Sequence, residues 1–277
     1  MSARITLTKV VGPACVQDLG RPGQLALGLP RGGALAPRRL RALNASIGNA
    51  PGDAALEVFG LVEFSVSAPV AVAIDDNEPF VARAGETYRV ATEGRRVRLI
   101  AFAGGVAVPE VLGGRGLLPS ARMGGHEGRW LRSGDTLPLP GAHTTLARVD
   151  TPHDPMPRAP LESLRVELWP GPEHGSLVDR DVLEACAFRV AATSDRTGLH
   201  LEGDTVRLHP RPHGTSSLPL VPGAVQLPPS GQPVVLGPDH PVTGGYPVVG
   251  VVQAGSLEAL FVAPLGSTLR FVRPSLS

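Results

Sequence analysis

Glycine and proline interrupt this chain everywhere, 34 and 29 times in 277 residues, without gathering into repeats. Glycine opens turns with positive φ, and proline removes a backbone donor, so this distribution cuts the chain into short segments. The segments between the breaks are β-branched or alternate with a period of two, which predicts many short strands rather than disorder. The hydrophobic fraction of 42% is enough for real cores. With aromatic residues at only 4%, Val, Leu and Ala must fill those cores. The length exceeds a usual single domain, and two domains are expected.

In chain order, residues 4–10 alternate as a strand, and a turn follows in which Gln17, Asp18 and Arg21 surround Gly20. An amide, a carboxylate and a guanidinium in one tight loop can grip a small polar molecule, or can cap the turn themselves. Residues 37–47 carry Leu40, Leu43 and Ile47 at helical spacing behind Pro37, predicting one amphipathic helix with Arg38, Arg39 and Arg41 outward. Asn44 lies one position off the apolar stripe, where it can cap, bind or simply be solvated. Strand follows strand from 55 to 102, and residues 106–132 form a glycine-rich stretch with no period. A final strand at 135–139 closes a first domain, residues 1–149. Four prolines mark a linker at 150–162, and a second domain follows over 163–277.

In that second half, strands are predicted at 164–169, 188–192, 220–226, 248–252, 258–262 and 268–272. A helix is predicted at 176–186 with Ser176 as N-cap and Cys186 facing inward. Ser194, Asp195 and Arg196 before Gly198 echo the Gln17–Asp18…Arg21 turn, as a weak internal duplication would. Residues 226–247 concentrate Gln226, Asp239, Thr243, the pair Gly244 and Gly245, and Tyr246 between two apolar strand-like runs. That is how a β-barrel builds a binding mouth.

Counts exclude several functions. Twenty-six Lys+Arg against 25 Asp+Glu leave no basic face for nucleic acid. Lys9 is the only lysine. It has no P-loop context, no Ser–Ser–Lys amidase context and no flanking methionines for biotin attachment. Eight histidines are scattered, and His209 and His213 are separated by prolines that forbid a helical ligand pair, so no metal is expected. Cys15 and Cys186 read as buried thiols. With no apolar leader at 1–10 and no run of about 20 apolar residues, a cytoplasmic, non-membrane protein is expected.

VQDLGRPG at 16–23, GALAPRRLRALNASIGN at 33–49, ALE at 55–57 and AGGVAVPEVLGGRG at 103–116 occur in this order. GGHEGR at 124–129, GDTLPL at 134–139, PGPE at 170–173, TSDRTGLHLEG at 193–203, PGAVQLPPSGQPVVL at 222–236 and TGGYP at 243–247 follow. Each block is weak alone, but ten in order resemble one family across nearly the whole chain. It includes the C component of 5-oxoprolinase, allophanate hydrolase subunit 2, a kinase-inhibitor antagonist and the biotin-dependent carboxyltransferase domain of urea carboxylase. The resemblance implies a mainly β fold of two cyclophilin-like β-barrel subdomains with one or two short helices. It also implies a C-type subunit of an ATP-dependent amide or lactam hydrolase, inactive alone, working with a B-type (kinase-inhibitor-like) subunit and an A-type subunit.

On that reading the catalytic residues are Asp18, Asp239, Thr243 and Tyr246. Gln17, Arg21, Asn44, Asp195, Arg196, Gln226, Gly244 and Gly245 bind substrate, all lining one cleft. Arg21 and Arg196 would hold a carboxylate, Asp18 or Asp239 would act as base, and Thr243, Tyr246 and the glycine amides would face an oxyanion. The chain itself would bind no cofactor, ATP being used by the complex. The alternatives are carboxyl transfer from carboxybiotin carried on another protein, and a non-catalytic regulator of a kinase-inhibitor-like partner. Ala36 stands where the family has Asp; Gly114, Gly116 and Leu117 stand where it has hydroxyls; Thr197 stands where it has Met. His240, Pro241 and Val242 replace polar family residues. Ala36 and Gly116 weigh toward the regulator.

Overall fold

The structure is a computed structural model that describes residues 3–75, 77–147, 156–210 and 217–274. Residues 150–155 of the expected linker lie outside the described residues, as does His213. Two compact units emerge, Met1–Gly23 with Arg31–Met156, and Gln24–Pro30 with Pro157–Ser277.

The first unit holds β1 (Ala3–Val11), β2 (Ala14–Gln17), α1 (Pro37–Ser46), β3 (Ala55–Val58) and β4 (Leu61–Val66). It continues with β5 (Val70–Ile74), β6 (Phe80–Ala82), β7 (Thr87–Ala91), β8 (Arg98–Phe102) and β9 (Thr136–Leu139). These strands pair in two antiparallel sheets, β7-β4-β1-β9 and β2-β3-β8-β5-β6. Alternation along β4 buries Val62, Phe64 and Val66 and leaves the residues between them partly exposed. Strand β5 is buried throughout, as in a strand covered on both faces. Phe64 of β4 meets Phe102 of β8 edge-on with ring centroids 5.2 Å apart, so the core lies between the sheets.

The second unit holds β10 (Leu164–Pro170), α2 (Val182–Ala185), β11 (Ala187–Val190), β12 (Gly198–Glu202) and β13 (Leu218–Pro219). Then come β14 (Ala224–Gln226), β15 (Val234–Leu236), β16 (Thr243–Gly244), β17 (Val248–Val252), α3 (Ala254–Val262) and β18 (Thr268–Val272). Seven strands close into a barrel in the order β10-β17-β14-β15-β12-β11-β18, and β13 and β16 form a separate two-stranded ribbon. Inward residues such as Val166, Leu199, Val235 and Phe271 fill the barrel, with Phe188 and Phe271 rings 5.8 Å apart. Closure leaves no edge exposed in this barrel. Among the described residues no helix is long and apolar enough to cross a membrane.

Three local expectations are corrected, and one strand is added. Residues 254–262 form helix α3, not a strand at 258–262. A short apolar run fits either periodicity, and Gln253 caps this one by accepting from the Gly255 amide at 2.5 Å. The helix expected at 176–186 shrinks to α2 behind a 3-10 turn at His174–Ser176, so Ser176 is no N-cap, and Cys186 is half-buried. On α1, Arg38 and Arg41 are exposed to differing degrees but Arg39 is buried. Residues 198–202, to which the sequence pattern assigns no element, are strand β12.

Candidate functional site

In the first unit β2 ends at Gln17 and the chain turns through Gly20 in the left-handed region. Asp18 organises this turn. Its Oδ1 accepts from the Gly20 amide at 2.8 Å and its Oδ2 from the Arg115 amide at 2.5 Å. Arg21, 2% exposed, donates through Nη2 to the Gly116 carbonyl at 2.6 Å. Gln17 Nε2 donates to the Leu117 carbonyl at 2.9 Å, and its buried Oε1 accepts no hydrogen bond among the described residues. A Cβ on Gly116 would sit 2.5 Å from that oxygen and 2.9 Å from Asp18 Oδ1. A side chain at 116 would therefore push on the Gln17 amide and the Asp18 carboxylate. Asn44 is fully buried; its Nδ2 donates to the Asp53 carbonyl at 2.9 Å and its Oδ1 accepts from Asn49, fastening the end of α1 to the next loop.

The glycine-rich loop of the same unit is pinned by Arg129, whose guanidinium forms two hydrogen bonds to Asp135 at 2.8 and 2.9 Å. Burial pushes the Asp135 carboxyl up, but the Arg129 bonds, the Arg132 amide and nearby His126 outweigh burial, and the net shift is downward.

The turn of the second unit uses its charges differently. Asp195 Oδ1 accepts from the amides of Thr197 and Gly198 at 2.7 and 3.2 Å, closing an Asx turn into β12. Arg196 points the other way and grips Asp239 through Nε and Nη2 at 2.7 and 3.0 Å. Both side chains of this pair are about 95% or more buried. Backbone bonds from Gly237 to Thr197 and from Asp239 to Arg196 lace the turn to the 237–239 segment. The carboxylate that Arg196 holds is thus one of the protein's own. The next residue, His240, is buried, and burial pushes its imidazole below the ordinary value against the pull of the Pro241 carbonyl and Asp239.

Beside this turn the second unit opens a cleft of about 540 Å3 on the outer face of β12 and β15. Its polar groups include Thr197 with Asp195, His200, Gln226, Ser230, Gln232 and Tyr246, and Pro228, Pro233, Val234 and Pro241 supply its apolar wall. Concave apolar walls with a few convergent polar groups suit a small polar ligand. Gln226 comes from β14 and is 6% exposed; its Nε2 donates to the Tyr246 carbonyl at 3.3 Å. Tyr246, half exposed, follows the β13–β16 ribbon. Gly244 packs over Gln226, where an added Cβ would lie 2.7 Å from Nε2.

Of the residues expected to form one cleft, Asp195, Gln226 and Tyr246 line this cavity. Arg196 and Asp239 are buried behind its turn. Thr243, Gly244 and Gly245 form or follow the ribbon beside it and are not part of its lining. Gln17, Asp18, Arg21 and Asn44 belong to the first unit. Sequence reasoning missed His200, Ser230 and Gln232. For His200 the signal was present: extending the strand pattern through Leu199 and Leu201 sends residue 200 to the opposite face.

A closed barrel with a polar cleft outside its wall, preceded by a two-sheet β unit, defines a mainly β protein of cyclophilin-like architecture. The chain matches the family described as the carboxyltransferase domain, subdomain A and B, over residues 27–273, and it belongs to that family. It is 32% identical to the C component of 5-oxoprolinase from Escherichia coli (strain K12), a match covering 94% of this chain and 88% of that protein. The crystal structure of TTHA0988 is similar with a TM-score of 0.84 and 29% identity, over 98% of this chain and 56% of that one. The crystal structure of Kluyveromyces lactis urea carboxylase is similar with a TM-score of 0.83 and 24% identity, over 98% of this chain and 27% of that one. The last likeness is one of fold. The chain spans about half of TTHA0988 and about a quarter of urea carboxylase.

Proposed function

We propose that this chain is the C-type subunit of an ATP-dependent 5-oxoprolinase, opening a cyclic amide only in company with a B-type and an A-type subunit. The observation that carries the reading is the near full-length match to the C component of 5-oxoprolinase, joined to a cleft whose polar groups suit an amide. An amide presents one donor and one acceptor. Gln226 and Tyr246 offer both kinds, the Gln232 amide being tied at both ends to the Gly203 backbone, and the prolines and Val234 give the apolar ring edge a wall to lie against. In this assignment Tyr246 and Gln226 orient the amide, and Thr243, Gly244 and Gly245 carry the ribbon that presents Tyr246. The Arg196–Asp239 pair and Asp18 are positioning groups, because their hydrogen-bonding oxygens are committed to Arg196 and to backbone amides. The chain binds neither ATP nor metal of its own; ATP is used elsewhere in the complex, in the cytoplasm.

Purified alone, the chain is expected to form no glutamate from 5-oxoproline and ATP. Co-expressed with the two partner subunits, it is expected to do so with ATP hydrolysed in proportion. A complex that assembles but leaves 5-oxoproline untouched overturns the reading. Carboxyl transfer is the second reading, favoured by the description of the family itself. It requires a separate biotinylated protein, since Lys9 is the only lysine here, and capture of such a partner on avidin would support it.

A further inference from the structure

We infer that His200 is a catalytic residue of the second-unit cleft, moving the proton that an amide nitrogen needs when its C–N bond breaks. The inference rests on the hydrolase reading above and adds to it a residue that neither the sequence motifs nor the comparisons single out. Four observations converge on it.

His200 is the one histidine in the cleft lining. Imidazole is the side chain suited to taking and returning a proton near neutral pH. It stands on a rigid element: β12 is clasped in the closed barrel between β11 and β15, with His200 opposite Val234 in the ladder. Leu199 and Leu201 on either side are buried in the barrel while His200 is exposed, so the pleat directs its side chain outward to the cleft. Its backbone is held twice more, the amide donating to Ser194 Oγ at 3.0 Å and the carbonyl accepting from the Ala191 amide at 2.8 Å. Among the described residues its imidazole makes no hydrogen bond, so both ring nitrogens are open to a ligand. By contrast, the other acid–base candidate in the lining, Asp195, has Oδ1 occupied by two backbone amides.

The step balances without any further reactant. As water oxygen adds to the lactam carbonyl carbon, one imidazole nitrogen accepts a water proton. As the C–N bond breaks, the imidazolium gives that proton to the departing nitrogen, which leaves as the amine of the open chain, and the ring returns to its neutral form. Gln226 and Tyr246 hold the amide meanwhile, and ATP hydrolysis elsewhere in the complex drives the overall equilibrium.

The test uses the complex reconstituted from all three components, with His200→Gln or His200→Gly in this chain. Because His200 is exposed, assembly by size-exclusion chromatography is expected to match the wild type. Expected for His200→Gln is a kcat loss of about 10²–10⁴-fold, with KM within a few fold. The acidic limb of the wild-type pH–kcat profile should vanish with it, and added imidazole should restore part of the His200→Gly rate. An assembled His200→Gln complex with wild-type kcat and pH profile overturns the inference and leaves the hydrolase reading standing. A kcat loss with an unchanged pH profile and no imidazole rescue also overturns it, in favour of a structural role. A wild-type complex inactive on 5-oxoproline brings down the hydrolase reading and this inference together.

Discussion

The turn at Asp18–Arg21 and the turn at Asp195–Arg196 contain the same residue types beside a glycine, and the two units secure them by different chemistry. In the first unit each Asp18 oxygen receives a backbone amide, and Arg21 is fastened to the Gly116 carbonyl. In the second, Asp195 closes its own turn while Arg196 reaches Asp239 in a buried bidentate pair. Ties to backbone groups are individually modest, and losing one leaves a neutral amide without a partner. A desolvated ion pair behaves otherwise, because removing either member strands a buried charge. The first turn is therefore a distributed clasp. The second adds a buried ion pair to its backbone ties, and that pair secures the turn bordering the cleft.

Removing one carboxylate from each turn should separate them most clearly. Asp239→Ala is expected to cost about 3–5 kcal/mol in urea unfolding, since Arg196 is left charged in a dry site. Replacing both members, as in Arg196→Met with Asp239→Leu, should recover most of that loss. Asp18→Ala should cost about 1–3 kcal/mol, the penalty of two orphaned amides only partly reached by water. If the two single variants prove equally costly, the contrast between the turns fails.

A smaller effect comes from acid. His240 has a folded value below its unfolded one, so as pH falls through about 6.5 the unfolded chain takes the proton first and the second unit loses stability. Asp135 is also depressed, but as a carboxylate its contribution is present above about pH 3.9 and is lost only below that. Stability should therefore fall in two steps, the upper one absent in His240→Gln and the lower one absent in Asp135→Asn. Unfolding midpoints measured between pH 8 and pH 3 would show this, and a single step unaffected by His240→Gln would contradict it.

Strands are legible in this sequence where the chemistry is local. Residues 248–252 and 164–169 are β-branched or alternating, bounded by Gly or Pro, and they fold as strands, the second running on through Pro170. Residues 254–262 escape that reading because the apolar run Ala259–Val262 has no period of its own, and its helix is settled by the Gln253 cap and by packing. Asn44 and Arg39 sit on an outward-looking stretch of sequence but are buried, Asn44 by a loop seven to nine residues further on. Gln226 and Tyr246 stand out in sequence because residues 226–247 gather polar groups and glycines between two apolar runs, and both line the cleft. His200 is only partly legible: Leu199 and Leu201 flank it with a period of two, but which face the strand presents is decided by long-range pairing with residues 234–236.

The central question is whether the second-unit cleft handles the substrate. Tyr246 is the residue to change, because it lines the cleft and is 50% exposed, so its loss should leave the fold intact. Turnover of 5-oxoproline should be measured in the assembled complex with Tyr246→Ala, alongside its thermal midpoint. The expected result is a drop of at least about tenfold in kcat/KM, the scale of one lost hydrogen bond to substrate, with the midpoint unchanged. Wild-type kcat/KM in a correctly assembled Tyr246→Ala complex would contradict the assignment of the cleft.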